Sequence, residues 1–453
     1  MMLAVLVSTV VFLDGTAVNL ALPATERDLG GGMCSQQWVV DGYLLAVAAM
    51  VLPGGAISDL FGRVPVMRCG LAAFGAGSVL AATASTPAQL VTGRVVQGLG
   101  GAFLVPGSLA LINSSFEPAD RSGAIGSWTA WTSVAFAVGP LLGGLTVDLL
   151  GWRWIYVLSA IPMAMGFALT CWIGRVPGPA ERPRIDIGGA ALSAIGLTGT
   201  VYALIEQGRR GFDQRVILAL VAGVTALLAF VAWQRRARYP MVPPGLFRAR
   251  NFTGANLVTA FVNGGIAMGS LAIALYLIEV AGYSATAAGL TTLPSPVISM
   301  LFARRIGAWS DRIGARVFVM TGPALAGLGL LLIHPSAESF HVATDVLPGR
   351  IVLAVGMALA ITPLTVVSLS AIRPTHSGIA TAIQNATGRT SALIAVASIG
   401  FITANRMTDA ASNRLLQVSA LLFFIGAVIA GLTIKNSATP AHEEIATRVP
   451  QPA

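Results

Sequence analysis

The sequence predicts an all-α integral membrane protein of about fourteen spans, built as two six-helix bundles with two further helices between them. Three observations carry that expectation: 55% of the 453 residues are hydrophobic and only 10% are charged, long apolar stretches recur along the chain, and short segments of the first half return in the same order in the second. A soluble domain carries roughly a quarter charged residues, so this composition is suited to lipid.

Crossing the hydrocarbon layer takes about 20 apolar residues. Such stretches lie near residues 2–23, 38–58, 66–85, 88–112, 123–147, 153–174, 186–206, 215–233, 252–279, 285–303, 316–334, 348–371, 377–404 and 414–434. The 51 glycines and 24 prolines would weaken soluble helices, but small residues let membrane helices pack closely and neighbours satisfy freed backbone groups. The first stretch has no basic leader and carries Asp14 and Asn19, so it reads as a retained span rather than a signal peptide.

The repeat gives the order of the domains. Gly55-Ala-Ile-Ser-Asp59-Leu-Phe-Gly62-Arg63 returns in outline as Gly307-Ala-Trp-Ser-Asp311-Arg-Ile-Gly314-Ala-Arg316, Gly93-Arg94 as Gly349-Arg350, and Ser122-Gly123 as Ser377-Gly378. Three segments at nearly one offset imply two homologous halves. The expected division is an N-terminal six-helix bundle over 1–174, linkers and two extra spans over 175–251, a C-terminal six-helix bundle over 252–434, and a disordered tail over 435–453. A substrate path is expected between the halves near the bilayer midplane.

A net charge of +9 raises nucleic acid as a partner, but the basic residues sit in short loops rather than on one soluble face. Arg63, Arg68, Arg235, Arg236, Arg238, Arg304 and Arg305 fall on the side shared with both termini, and fewer, such as Arg27, Arg153, Arg209 and Arg210, fall on the other. The positive-inside rule then places both termini in the cytoplasm. Cys34, Cys69 and Cys171 have no paired spacing, and His334, His341, His376 and His442 have neither metal-ligand nor acid–base spacing, so no disulfide, metal, cofactor or enzymatic site is expected.

Several motifs resemble those of the major facilitator superfamily, and within it the fourteen-span drug:proton antiporters. Leu13-Asp14-Gly-Thr16-Ala-Val18-Asn19-Leu-Ala21-Leu22-Pro23 is similar to that family's first-span signature, and Trp38-Val-Val-Asp41-Gly-Tyr43-Leu44 to its second, with Asp41 where Asn is more usual. Gly55 to Arg63 resembles the loop motif after span two, with Val64 and Pro65 replacing basic residues. Arg94-Val-Val-Gln97-Gly98 resembles the fourth-span motif, and Gly139-Pro140-Leu-Leu-Gly143-Gly144 the antiporter motif of span five. Asp186-Ile-Gly188 and Glu206-Gln-Gly208 look like the extra helix pair of the fourteen-span group. Glu279 stands where Gln is usual, and Ser159-Ala160 where an Asn is expected.

The resemblance implies a proton-coupled exporter of drugs, antibiotics or other small amphipathic molecules, working by alternating access as a monomer in the cytoplasmic membrane of a bacterium. Its partners would be a small-molecule substrate, protons and the bilayer, with no nucleic acid. A charge at the centre of a span costs at least about 2.5 kcal/mol, so each demands a partner or a purpose. Asp14, Arg94 and Asp41 are expected in one network at similar depth, with Asp14 as the proton carrier and Arg94 tuning it; the alternative is a static ion pair. Glu279 reads as an exposed surface acid. Gly55, Asp59, Gly62 and Arg63 would form a conformational latch, while Gly139, Pro140, Gly143 and Gly144 allow close approach and a bend.

Asn19, Gln97, Trp128, Trp131, Asn256, Asn263, Gln384 and Arg389 are candidates for the substrate cavity. The tryptophan faces would hold lipophilic cations, or serve only in packing. Arg389 either faces that cavity to receive a polar or anionic group or reaches a neighbouring carbonyl. The rival readings are a proton-coupled importer of a small metabolite, a membrane-embedded enzyme and a non-transporting receptor. No Walker loop occurs, so ATP is not the implied driving force.

Overall fold

Helix boundaries in the computed structural model follow local chemistry. It describes residues 1–172, 185–335, 340–373 and 377–436; the greater part of the linker segment 175–185 and nearly all of the expected tail lie outside them. Helices α1 (Met2–Leu29) and α2 (Gly32–Phe61) are joined by glycines. After α3 (Arg63–Ala82), α4 (Pro87–Ser115) starts with Thr86 accepting from Gln89 N–H and with Pro87 in the first turn, where its missing donor costs nothing. Then come α5 (Pro118–Leu149) and α6 (Arg153–Trp172), the pair α7 (Ile187–Arg210) and α8 (Gln214–Arg236), and α9 (Arg250–Leu275), which ends in a π-helical turn, Tyr276–Val280. The second half continues with α10 (Ala285–Leu290), α11 (Pro294–Ile313), α12 (Ala315–Leu331), α13 (Val342–Asp345), α14 (Leu347–Ser370), α15 (Ser377–Ala397), α16 (Ile399–Thr403) and α17 (Asp409–Thr433).

Thirteen helical stretches among the described residues are long and apolar enough to cross a membrane, and α12 adds a shorter apolar helix. Two expected continuous spans are interrupted. The stretch 285–303 divides at the turn before Pro294, because proline disfavours helix in the residue ahead of it. The stretch 377–404 breaks between α15 and α16.

The repeat is visible in backbone geometry. Gly62 and Gly314 both take φ near +97° (96° and 99°) at the turn into α3 and into α12, a conformation that side-chain-bearing residues rarely adopt. Where α3 crosses α4, a Cβ on Gly93 would stand 2.9 Å from the Gly77 carbonyl; where α12 crosses α14, one on Gly349 would stand 2.5 Å from that of Gly329. Each half therefore holds its central helix pair at backbone contact through paired glycines.

Below, the end of the molecule bearing residue 1 is called proximal and the other distal. The halves meet distally. Gly144 of α5 packs on the backbone of Ala285, Asp148 accepts from the N–H groups of Ala285 and Thr286 (3.2 and 2.8 Å), and Gln37 of α2 donates to the carbonyls of Val396 and Ala397, both at 2.8 Å. Proximally, among the described side chains, α5 buries only the stripe Ala124, Trp128, Thr132 and Ala135, and most of the others are uncovered. The result is a cleft between the halves that is sealed distally and opens proximally.

The inserted pair α7–α8 is tied at both ends. Proximally, Asp186 caps α7 through Gly189 N–H and accepts from Trp233 and Gln234 of α8 and from Met241 N–H. Burial pushes the Asp186 carboxyl up, but these four donors outweigh it and hold the group below the usual carboxylate range. Distally, Glu206 accepts from Trp38 of α2 and pairs with Arg209 and Arg210. An apolar cluster including Leu197, Val201 and Ile205 of α7, Cys34 and Ala48 of α2, and Leu393 and Ala397 of α15 fills the space between.

Candidate functional site

The N-terminal half encloses a polar constellation in an otherwise apolar interior. Arg94 of α4 reaches Asp14 of α1 with Nη1 at 2.7 Å from Oδ2; the side chains are 2% and 0% exposed. The same nitrogen donates to Gln97 Oε1 (2.9 Å), and Arg94 Nε donates to the Val39 carbonyl of α2 (3.1 Å). Gln97 in turn donates to Ser78 Oγ of α3 (2.8 Å) and Asp14 Oδ1 (3.4 Å), and Ser159 Oγ of α6 reaches Asp14 Oδ1 at 3.2 Å. The Arg94 guanidinium lies 4.4 Å from the centre of the Tyr43 ring, close enough for cation–π attraction.

Five helices thus join one network around the Asp14 carboxylate, with its direct donors on α4 and α6. Its oxygens take donors from arginine, amide and hydroxyl, which is how a buried charge is made tolerable. Tyr156, whose buried hydroxyl has no hydrogen-bond partner among the described residues, packs in the same half. Ser78, Ser159 and Tyr43 were not legible as members of this set, because hydroxyl residues are common in membrane helices. The one signal was Ser159 itself, standing where the family pattern has Asn.

Asp41 does not join the network. Both of its carboxyl oxygens are buried without a hydrogen-bond partner, and no ion pair reaches it among the described residues. Seven residues separate it from Cys34 and from Ala48, which places it on the α2 face turned toward α7 and α15. Glu279, expected as a surface acid, instead accepts from Gln36 of α2 at 2.6 Å and so links the halves distally. Sequence reading also passed over Arg350, the repeat counterpart of Arg94. It is buried in α14 with no acidic partner among the described residues.

The other candidates divide between core and cleft. Gln97 belongs to the Asp14 network. Trp128 is buried against α1, its indole N–H donating to Ser8 Oγ at 3.0 Å, and Asn256 is buried with its amide on the Phe252 carbonyl. Trp131 is 59% exposed. Asn19 is half-buried one turn beyond Gly15, beside which a Cβ would meet open space. In the C-terminal half, half-buried Asn263 lies against Gly388, and half-buried Gln384 donates to Thr259 Oγ1 at 3.4 Å. Arg389, one residue beyond Gly388, is half-buried.

The conformational motifs have distinct contacts. Arg63 donates to the Ala110 carbonyl at the end of α4 (2.8 Å) and pairs with Asp59 at 3.5 Å, so the loop motif grips helix ends within its own half. Gly55 meets open space, and the side chain of Asp311, the counterpart of Asp59, lies outside the described residues. Gly139 and Gly143 let α5 touch Thr16 and Ala17 of α1, whereas Gly144 and Pro140 touch α10 across the halves.

Two pseudo-symmetric helical halves parted by a cleft, with a buried ion pair in the first, define a polytopic membrane transporter. The sequence matches the Major Facilitator Superfamily profile over residues 4–397, and the chain belongs to that superfamily. It is 33% identical to the puromycin resistance protein of Streptomyces alboniger over 406 residues, covering 87% of this chain and 79% of the relative. It is 32% identical to the methylenomycin A resistance protein of Bacillus subtilis, covering 86% and 84%, and 32% identical to the cephamycin export protein of Amycolatopsis lactamdurans, covering 83% and 79%.

Among solved structures, the xylose transporter XylE from E. coli in a partially occluded inward-open conformation aligns over 96% of this chain and 97% of its own, with TM-score 0.64 and 14% identity. A POT family transporter in complex with 5-aminolevulinic acid aligns over 96% of both chains with TM-score 0.71 and 16% identity. These likenesses show the fold.

Proposed function

We propose that this multi-pass membrane protein is an efflux transporter that expels drugs, antibiotics or similar small amphipathic molecules in exchange for protons. The efflux reading is supported by relatives named for resistance and export. The observation that carries proton coupling is the Asp14–Arg94 pair: a sealed carboxylate, in the first helix of one half, whose partners come from α4 and α6. Rocking of the halves alters the access of such a group to water, and with it the protonation of Asp14.

With the proximal end and both termini in the cytoplasm, as the distribution of arginines supports, the cleft faces inward and takes substrate from the cytoplasm or inner leaflet. Proton entry from outside then resets the carrier. A membrane potential of about 150 mV supplies roughly 3.4 kcal/mol per proton, which sustains a gradient of about 300-fold for a neutral substrate. One titrating carboxylate is sufficient, and the chain is taken to work as a monomer.

The test uses everted membrane vesicles carrying wild type or Asp14→Asn, energised by respiration, with a pH-sensitive dye. Substrates from a panel of antibiotics and dyes should release protons through the wild type and not through Asp14→Asn. Proton release that persists in the variant would remove Asp14 from the carrier role.

A further inference from the structure

We infer that the cleft selects organic anions, with Arg389 as the receptor of the substrate's negative group; this rests on the efflux reading and names its substrate class. Arg389 lies in the middle of α15, half-buried, with no carboxylate and no hydrogen bond among the described residues. One turn further on, Leu393 is packed into the apolar cluster with α2 and α7. Arg389 therefore projects toward α2, across the interface between the halves. A half-buried cation held within a span at the interface between the halves, with no partner among the described residues, is a site for an anion that arrives from outside the protein.

The acids of the protein are arranged to leave that cation uncompensated. Asp14 is sealed and saturated by Arg94, Gln97 and Ser159. Asp41 also lies on the α2 face turned to α7 and α15, but neither of its carboxyl oxygens has a hydrogen bond or ion pair to Arg389 among the described residues. Glu206 is neutralised by Arg209 and Arg210, while Asp148 and Glu279 are engaged in the distal seal. Asp59, Glu117 and Asp120 stand at the proximal helix ends, outside the span interior. No described carboxylate is thus exposed in the span interior to balance the Arg389 charge, which disfavours a cationic substrate beside it. Half-buried Asn19, Asn263 and Gln384 supply neutral hydrogen-bonding groups for the rest of a polar substrate.

Charge balance makes the inference measurable. Exchange of one entering proton for one leaving monoanion moves two positive charges' worth of current inward, whereas exchange for a monovalent cation moves none. The experiment follows accumulation of fluorescein, an organic anion, and of ethidium, a cation, in energised everted vesicles carrying wild type, Arg389→Gln or Arg389→Lys. The expected result is fluorescein transport that slows when valinomycin and potassium collapse the potential at a fixed pH gradient. Arg389→Gln should raise the half-saturating fluorescein concentration about 10- to 100-fold, and Arg389→Lys should restore most of the loss.

Ethidium transport that is electroneutral and indifferent to Arg389→Gln would overturn the proposal and leave efflux standing. Transport of neither probe, nor of any compound in the antibiotic panel, would overturn the efflux reading and this inference together. Should Arg389→Gln fail to assemble, competition on the purified wild type replaces it. Other organic anions must then displace bound fluorescein while ethidium must not, and the reverse order overturns the proposal.

Discussion

Arg94 and Asp14 come from helices 80 residues apart in the chain and meet at 2.7 Å, each closed off from solvent. Burial makes the pair unforgiving. Removing one member leaves the other charge without its partner in a medium of low dielectric, which typically costs about 3–5 kcal/mol, whereas removing both can be nearly neutral.

Arg94→Gln and Asp14→Asn should therefore each lower the melting temperature of the detergent-solubilised protein, and the double variant should melt well above the sum of the two losses. A double-mutant cycle gives the coupling, expected at about 3 kcal/mol or more, because the double variant leaves no unpaired buried charge. Additive losses would mean that the pair does not interact as described.

The glycine pair Gly77–Gly93 holds α3 and α4 at backbone contact. A Cβ at residue 77 would stand 2.6 Å from Gln97 N and 2.7 Å from the Gly93 carbonyl, neither of which belongs to a flexible side chain. Gly77→Ala should destabilise the fold by about 1–3 kcal/mol. Gly126→Ala, where nothing lies within 4 Å of the added Cβ, should leave the melting temperature unchanged.

Asp186 is stabilising only while ionised, since its donors favour the carboxylate. Asp186→Ala removes a helix cap and the ties to Trp233 and Gln234, with an expected cost of about 1–2 kcal/mol near neutral pH. Because the folded-state value is depressed, this contribution is fully present above the unfolded carboxylate range and disappears as pH falls through the folded-state value. Melting curves of wild type and Asp186→Ala should separate at pH 7 and converge in acid; a gap that widens in acid would contradict the sign.

The distal seal depends on Gln37, which makes two hydrogen bonds to the opposite half. Gln37→Ala loses roughly 2 kcal/mol of closure at about 1 kcal/mol each, and so should shift the equilibrium toward distal opening by more than tenfold. A cysteine introduced at Thr286, in a background lacking the native cysteines, reports the shift as faster labelling by an impermeant maleimide when Gln37 is replaced. Unchanged labelling would place the seal's strength in the Gly144–Ala285 contact instead.

How far the sequence could be read depended on the kind of information each feature needs. Span number, the repeat and the pairing of Asp14 with Arg94 follow from rules that act along one axis: apolar length, the order of segments, and depth in a membrane that makes lone charges costly. Asp41 and Glu279 show the limit. Depth along α2 placed Asp41 near Asp14, yet the rotation of that helix turns it toward α7 and α15, and Glu279 gained its partner only where α2 of the other half approaches.

By itself the sequence determined that this chain crosses the membrane about fourteen times as two related halves with an inserted pair, because hydrophobic burial in lipid is set by composition and period alone. Only the tertiary structure decided that Ser159 and Ser78 complete the Asp14 network, that Trp128 packs against α1, and that Arg389 has no hydrogen-bond or ion-pair partner among the described residues. Those outcomes depend on helix rotation and on contacts between residues far apart in the chain, which packing fixes and no local pattern encodes.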